Sequence, residues 1–217
     1  MEIVRIELAR RVALLEVPAA DPKGKTSLPD AVGAIGGRYS FVKAPHALEE
    51  MSFEKGIEFN VGRLGAINID KLTLFGNGIV VDTRSSTEDC SAVVDDLLNF
   101  FRESFQATVT VTRWMTLSNV IFRSDLRLGN LHPILRRISE RVDAATARDF
   151  GQAAATELRG ITIGPDLSQM KLQPTPFTVE RRADTPFSAK VYFSAAPLQT
   201  EEHIQALADF EAALLTV

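Results

Sequence analysis

The segment from Ala19 to Thr26 reads Ala-Ala-Asp-Pro-Lys-Gly-Lys-Thr and ends in the Gly-Lys-Thr triplet of phosphate-binding loops. In such loops backbone N–H groups cradle the phosphates, the lysine contacts them, and the threonine hydroxyl binds magnesium. Lys23, Lys25 and Thr26 are therefore the candidate ligand-binding residues of this segment.

Three features of the same segment argue against a phosphate site. Ala19 stands where the pattern has its first glycine, and Pro22 removes one backbone donor from the cradle. Pro29 and three glycines follow Ser27, so we expect no strong helix that could present its positive end to a phosphate. An exposed basic loop is the favoured interpretation, and nucleotide or phosphate binding by residues 19–27 is the alternative.

A second set of basic side chains lies on a helix expected over residues 132–149. Arg136 and Arg137 are the candidate ligand-binding residues there, because guanidinium groups bind carboxylates and phosphates through paired hydrogen bonds. Glu140 and Asp143 dilute the basic face. An ordinary solvated surface is the favoured interpretation of this helix face.

Histidine and cysteine usage gives no support to catalysis or metal binding. The three histidines share no metal-ligand spacing, so we expect no metal, no cofactor and no catalytic residue. His132 and His203 are expected near helix starts as partly exposed or capping side chains. Cys90 is the only cysteine, which excludes an intrachain disulfide. Its place on an apolar stripe in a first helical turn fits either an activated nucleophile or an inert core thiol, and we favour the core thiol.

The composition is that of an ordinary globular protein, with 45% hydrophobic and 24% charged residues and a formal net charge of −4. A mildly acidic chain has no bulk attraction for phosphate backbones, so general nucleic-acid binding is not expected. No apolar run approaches the roughly 18 residues of a membrane span, and the N-terminus lacks the features of a signal peptide. We therefore expect a cytoplasmic protein with no membrane association.

Charge is distributed unevenly along the chain. Residues 45–105 carry eleven acidic and five basic side chains, whereas residues 113–148 carry seven arginines and three acidic side chains. Oppositely charged surfaces can guide self-association or the docking of a partner. Two solvated faces with no special role are the plainer interpretation.

Hydrophobic periodicity is least decisive in the first quarter of the chain. Residues 2–17 predict one or two strands, with a turn at Arg10-Arg11 between them if there are two, and a helix over Leu8–Leu15 is a competitor. Residues 18–30 predict a loop. The glycines of residues 31–56 argue against a robust helix there.

The remainder of the chain gives clearer signals. Gly76-Asn77-Gly78 is the strongest hairpin signal, and the strand before it slips at Asp70-Lys71 as a β-bulge would require. Ser85-Ser86-Thr87 with two following acids predicts the start of a helix that runs to Phe105. The other predicted elements are strands at residues 57–61, Thr108–Trp114, Leu117–Arg123 and Thr156–Ile163, a helix over 132–149, a hairpin of Phe177–Arg182 and Phe187–Ser194, and a last helix from Thr200.

These elements predict an α+β fold: a largely antiparallel sheet with three main amphipathic helices packed against it, in a single domain over residues 1–217. Residues 56–105 and 158–215 share the order hairpin, acidic cap, amphipathic helix. An internal ββα duplication would produce this order. The habit of α+β folds to follow a hairpin with a covering helix would also produce it, and we favour that explanation.

The predicted function is that of a non-enzymatic interaction or assembly subunit of a cytoplasmic complex. We expect the chain to associate with itself, as a homodimer or larger oligomer, or with another protein. An enzyme is the less favoured class, because no catalytic constellation or cofactor motif occurs. The hairpins around Phe75–Ile79 and Phe177–Phe193 are expected to offer β edges that could pair across a two-fold axis. The alternative function is a nucleotide- or phosphate-ligand-binding protein that uses the 19–27 loop.

Overall fold

The computed structural model describes residues 1–16, 27–107, 109–126, 128–131, 133–151, 156–169 and 172–215. Over these ranges the chain forms eight strands and four α-helices, which confirms the predicted α+β class. The elements are β1 (Glu2–Glu16), α1 (Leu28–Arg38), β2 (Ile57–Leu64), β3 (Ile67–Phe75), β4 (Gly78–Thr83), α2 (Thr87–Phe105), β5 (Thr110–Arg123), α3 (Pro133–Phe150), β6 (Gly160–Ile163), β7 (Phe177–Arg181), β8 (Val191–Ala196) and α4 (Thr200–Leu215).

The strands form one antiparallel sheet in the order β2-β3-β4-β1-β5-β8-β7-β6. The element order β-α-β-β-β-α occurs twice along the chain, first from β1 to α2 and then from β5 to α4. The strand order agrees with this repeat, because β2-β3-β4-β1 from one end of the sheet corresponds to β6-β7-β8-β5 from the other. This repeated unit is longer than the ββα unit suggested by the sequence, because it also includes β1 and α1, whose counterparts are β5 and α3.

The chain divides into two compact units. We call Ile6–Asn119 with Pro197–Glu201 the N unit, and Met1–Arg5, Val120–Ala196 and Glu202–Val217 the C unit. Two long strands, β1 and β5, therefore contribute residues to both units.

Each unit has its own hydrophobic core. In the N unit the inner face of α2, from Cys90 to Leu97, is fully buried, as its 3–4 residue spacing predicts. In the C unit the rings of Phe122 and Tyr192 stack with their centroids 5.5 Å apart. The Tyr192 hydroxyl donates to the Leu126 carbonyl at 2.8 Å, so this buried phenol is satisfied.

β1 is one continuous strand of 15 residues, so neither the turn at Arg10-Arg11 nor the competing helix forms. Nε and Nη2 of Arg10 donate to the two carboxylate oxygens of Asp82 at 2.6 and 2.7 Å. The Arg11 guanidinium donates to the Thr116 hydroxyl and lies 4.7 Å from the centroid of the Trp114 ring. Two adjacent arginines fit within a strand here because side chains of other strands supply their partners. Residues 110–123 likewise form the single strand β5, where two strands were expected.

The glycine-rich segment contains a helix, and the expectation that its glycines exclude one is wrong. The Ser27 hydroxyl caps α1 by accepting a hydrogen bond from the Asp30 N–H at 3.3 Å. Val32 and Ile35 are buried in the core of the N unit. Burial of this apolar face outweighs the weak helix propensity of the three glycines, because most helical stability in proteins comes from tertiary packing.

A charged cluster ties the end of α1 to α2. Nε and Nη2 of Arg38 donate to Asp96 at 2.9 and 2.7 Å, and the Tyr39 hydroxyl donates to the same carboxylate at 2.7 Å. The Arg38 guanidinium holds the pKa of Asp96 below its usual value. The ion pair neutralises the charge of Asp96, so this side chain of α2 does not contribute to an anionic surface.

The hairpin and the helix cap in the middle of the chain are confirmed. Phe75 pairs with Gly78 across the two-residue turn Gly76-Asn77, and the Ser86 hydroxyl accepts from the Asp89 N–H at 3.0 Å at the start of α2. The predicted bulge in β3 is wrong, because its registers with β2 and β4 run without a shift. The alternation slips instead because both faces of β3 are buried at its C-terminal end, where Leu72, Thr73 and Leu74 are all buried.

The starts of α2 and α4 exchange a pair of hydrogen bonds within the N unit. The Thr87 hydroxyl accepts from the Thr200 N–H at 2.8 Å, and the Thr200 hydroxyl accepts from the Thr87 N–H at 3.0 Å. Both side chains are buried. The two helix starts that occupy equivalent places in the repeat therefore satisfy each other's unpaired N–H groups, which are costly when buried.

The two hairpins that were expected to offer free β edges do not have them. β3, β4, β7 and β8 each have a neighbour on both sides, and the outer strands of the sheet are β2 and β6. The outer edge of β2 is itself covered: the Val42 N–H donates to the Val61 carbonyl at 2.9 Å, and the Asn60 N–H donates to the Lys43 carbonyl at 2.8 Å. Edge-to-edge pairing through those hairpins is thus excluded.

Candidate functional site

The residues proposed from the sequence for ligand binding fall in two places. Lys23, Lys25 and Thr26 lie outside the described residues, so phosphate binding by the 19–27 loop stays a prediction. Arg136 and Arg137 lie in α3. Arg137 is exposed, as expected for a solvated helix face.

The surface that most needs explanation is the apolar side of α3. Ile134, Ile138 and Val142 lie four residues apart and form what we call the α3 stripe. Ile138 is 52% exposed, Val142 is 44% exposed, and Phe150 at the end of the helix is 79% exposed. The sequence periodicity predicts a wider apolar face made of Ile134, Leu135, Ile138, Val142 and Ala145. Leu135 and Ala145 are half-buried, whereas the three residues of the α3 stripe are exposed, and no α3 residue whose burial the structure describes is fully buried.

The exposure of the α3 stripe differs from what is seen in α1, which occupies the equivalent position in the first β-α-β-β-β-α repeat. α1 has 11 residues and buries Val32 and Ile35. α3 has 18 residues and a comparable amphipathic pattern, yet it presents its stripe to solvent. A helix whose apolar face is uncovered is typical of a surface that another molecule covers.

The side of α3 that rests on its own unit begins next to the stripe. Leu135, Ser139 and Thr146 are half-buried, and Thr146 follows Val142 by four residues, so the C-terminal end of the stripe row is partly covered. The Asp143 carboxylate accepts a hydrogen bond from the Thr156 N–H at 2.7 Å. Gly151, with a φ of +67°, ends the helix in the left-handed conformation that glycine adopts without strain. The helix is therefore anchored with its stripe facing outward.

Basic side chains border the α3 stripe. Arg137 follows Ile134 by three residues and Arg141 follows Ile138 by three, a spacing that makes them neighbours on a helix surface. Both arginines are exposed. Arg148 pairs with Asp149 at 2.7 Å. The combination is an apolar stripe with a basic edge.

The acidic segment 45–105 is less anionic in the fold than in the sequence. Two of its carboxylates, Asp82 and Asp96, pair with arginines from outside the segment, Arg10 and Arg38, which reduces what charge complementarity can contribute to association. The pairs Lys71–Glu58 and Arg84–Asp70 lie within the segment and leave its net charge unchanged. The apolar stripe, rather than the charge asymmetry, is thus the stronger argument for an interface.

A buried Ser–His pair in the C unit was not anticipated from the sequence. His203 is fully buried rather than exposed, and its ring contacts that of Phe177 with the centroids 5.9 Å apart. Its Nε2 lies 2.8 Å from Oγ of Ser194, and that hydroxyl donates to the Thr178 carbonyl. The His203 Nε2 must therefore carry the proton and donate to Ser194. The pair is a structural hydrogen bond, because a histidine that activates a serine must accept its proton.

Burial of His203 also sets its charge state. Burial lowers the pKa of the imidazole to about 4, so the side chain is neutral at physiological pH. Its Nδ1 has no hydrogen-bond partner among the described residues. A second proton at this atom would place an uncompensated charge in the core of the C unit.

Cys90 is an inert core thiol, which confirms the favoured interpretation. The side chain is fully buried, and its Sγ donates to the Ala9 carbonyl at 3.3 Å. Burial raises the pKa of the thiol to about 11. The position in the first turn of α2 does not activate it, because desolvation of the thiolate outweighs the helix terminus.

We expect the Cys90 thiol to react very slowly with a thiol-reactive chromogenic disulfide at pH 8. Only about one thiol in a thousand is ionised there, and the sulfur is shielded from solvent. The rate should rise by more than a hundredfold in concentrated guanidinium chloride, which exposes the residue. A native rate equal to that of the unfolded chain would contradict the burial of Cys90.

Among the described residues no group of three or more His, Cys, Asp or Glu side chains is placed to hold a metal ion. None of the helices in the described ranges is long and apolar enough to cross a membrane. No protein-family model matches the chain, and no curated protein matches it.

Proposed function

We propose that this chain is an interaction subunit that associates through the α3 stripe, and that the partner is a second copy of itself. The observation that carries the proposal is an 18-residue amphipathic helix with none of its described residues buried. Exposed apolar side chains on a helix gain free energy when a second surface removes them from water.

The spacing of the stripe favours a second copy. Ile134 and Val142 lie four residues on either side of Ile138. When two α3 helices pack antiparallel across a two-fold axis, Ile138 meets its own copy and Ile134 meets Val142. A two-fold interface of this kind needs a self-complementary surface, and a stripe that is symmetric about its central residue supplies one.

The expected contact is of modest strength. An 18-residue helix is about 27 Å long, and one helix pair buries less than the roughly 1,200–2,000 Å² of a standard stable interface. Arg137 and Arg141 on both copies border the same contact, and like charges across an interface oppose it. We therefore expect a dimer that dissociates upon dilution to low micromolar concentration, and that salt strengthens rather than weakens.

Light scattering after size exclusion tests the proposal at tens of micromolar protein. The chain should elute at about twice its monomer mass of 23.8 kDa. Ile138→Glu should shift the mass to that of the monomer, because a carboxylate at the centre of the contact would be desolvated against its own copy.

Ala144→Glu is the matched control for this variant. Ala144 is exposed and lies on the same helix, about 120° around from Ile138, so a glutamate there adds the same charge outside the stripe. The Ala144→Glu variant should remain a dimer. A monomeric wild-type chain, or equal loss of dimer in both variants, would rule out association through the α3 stripe.

A further inference from the structure

The N unit contains a cavity of about 350 Å³. It lies between one face of α1, the ends of the strands β1 to β4, and the last turn of α2. The cavity is partly open to solvent. Its volume falls within the range of small-molecule binding pockets, about 300–1,000 Å³.

The described residues that line the cavity all have apolar side chains or none. Each of them is an aliphatic residue, a phenylalanine, an alanine or a glycine. α1 contributes Leu28, Ala31, Val32 and Ile35, which share one helix face by their 3–4 residue spacing. A bound water needs two to four polar partners, so this lining does not favour water. Among the described lining residues there is also no side chain that could pair with a charged ligand.

Small residues keep the space open. Ala31, Gly76, Gly78 and Ala107 line the cavity, where larger side chains would fill it. Gly78 lies in the sheet with its backbone against Ala13, and a Cβ there would come within 3.2 Å of the Ala13 carbonyl oxygen. A side chain at this wall would therefore crowd the backbone of the paired strand β1.

Partly exposed phenylalanines connect the cavity with the surface. Phe53 is 45% exposed, and Phe75, Phe101 and Phe105 are half-buried. All four line the cavity. Aromatic rings in this position leave apolar surface in contact with water, and an apolar ligand would cover it.

We propose that this cavity binds a small, uncharged, hydrocarbon-like molecule of about a dozen non-hydrogen atoms. The size follows from the volume, which is a little over twice that of the roughly 150 Å³ cavity that accommodates benzene. The chemical class follows from the described lining residues, none of which has a charged or hydrogen-bonding side chain. This binding site lies in the N unit and is independent of association through α3.

A series of straight-chain primary alcohols from hexanol to dodecanol tests the proposal, with isothermal titration calorimetry on the full chain. Affinity should rise about fourfold for each added methylene, the factor that corresponds to about 0.8 kcal/mol. The rise should stop at about ten to twelve carbons, when the cavity is full. The melting temperature should increase in the same order.

Ala31→Leu tests whether the alcohols bind in this cavity. The substitution adds three carbons to the wall, so the chain length at which affinity levels off should fall by roughly three carbons. Ala34→Leu is the matched control. Ala34 is exposed on the same helix, so this substitution adds the same three carbons outside the cavity. Its chain-length profile should equal that of the wild type.

Three results would overturn the proposal. One is that no alcohol binds up to its solubility limit, which would mean that a protein segment or nothing occupies the cavity. Another is that affinity rises with chain length without levelling off, as for adsorption to the surface. The third is that both leucine variants show the same profile. If Ala31→Leu does not fold, the plateau in the wild-type profile still decides.

Discussion

Replacement of Leu97 by alanine is expected to lower the free energy of unfolding by about 2–5 kcal/mol. Leu97 is fully buried on the inner face of α2 in the core of the N unit. The truncation removes buried apolar atoms and leaves a space that the surrounding side chains refill only in part. An effect of this size is a large share of the stability of a typical domain.

Urea denaturation of Leu97→Ala and of Leu48→Ala measures the difference. Leu48 is 74% exposed, so the same truncation there should change the free energy by less than about 0.5 kcal/mol. If Leu97→Ala also changed it by less than that, the inner face of α2 would be wrongly assigned.

The second large effect is a loss of stability in acid that depends on His203. The pKa of this side chain is about 4 in the folded protein and 6.5 ordinarily. Between these values the unfolded chain binds a proton that the folded chain does not, so stability falls as the pH falls. Between pH 6.5 and 4 the loss attributable to His203 is about 3 kcal/mol.

His203→Gln isolates this contribution, because glutamine does not titrate and its amide can still donate to Ser194. The free energy of unfolding of the variant should vary much less between pH 6.5 and 4 than that of the wild type. His46→Gln is the control, since His46 is exposed, and it should keep the wild-type pH dependence. The pKa of Asp96 is lowered from its ordinary value of 3.8. Its contribution to stability is therefore lost only at lower pH, outside the range assigned to His203. Identical pH profiles for wild type and His203→Gln would contradict the burial of a neutral imidazole.

Local signals in the sequence predicted the elements that depend on local interactions. The two-residue turn Gly76-Asn77 and the Ser86 cap of α2 involve neighbouring residues only, so the sequence contains all the information they need. α1 could not be predicted in the same way. Its glycines disfavour a helix locally, and what stabilises it is the burial of Val32 and Ile35 against residues far along the chain.

The candidate sites were harder to predict than the fold. Periodicity shows that α3 has an apolar side, but the pattern is the same whether the covering surface belongs to this chain or to another. The sequence overstates the acidity of residues 45–105 for a related reason, because Arg10 and Arg38, which are distant in sequence, pair with carboxylates of that segment. The cavity of the N unit is formed by α1, the strands and α2 together, so it cannot be predicted from any single segment of the sequence.

The length of β1 has a consequence for how the protein is made. Ala9 of β1 pairs with Thr83 of β4, which lies 74 positions further along the chain, and its other neighbour, β5, comes later still. At about 5–20 residues per second, a ribosome needs roughly 4–15 s to complete that interval. During synthesis the strand therefore waits without either neighbour, and apolar strands in this state are prone to aggregate. Arg5, Glu7, Arg10 and Arg11 interrupt its apolar sequence, and charges in such positions act as gatekeepers that keep a nascent strand soluble until its neighbours emerge.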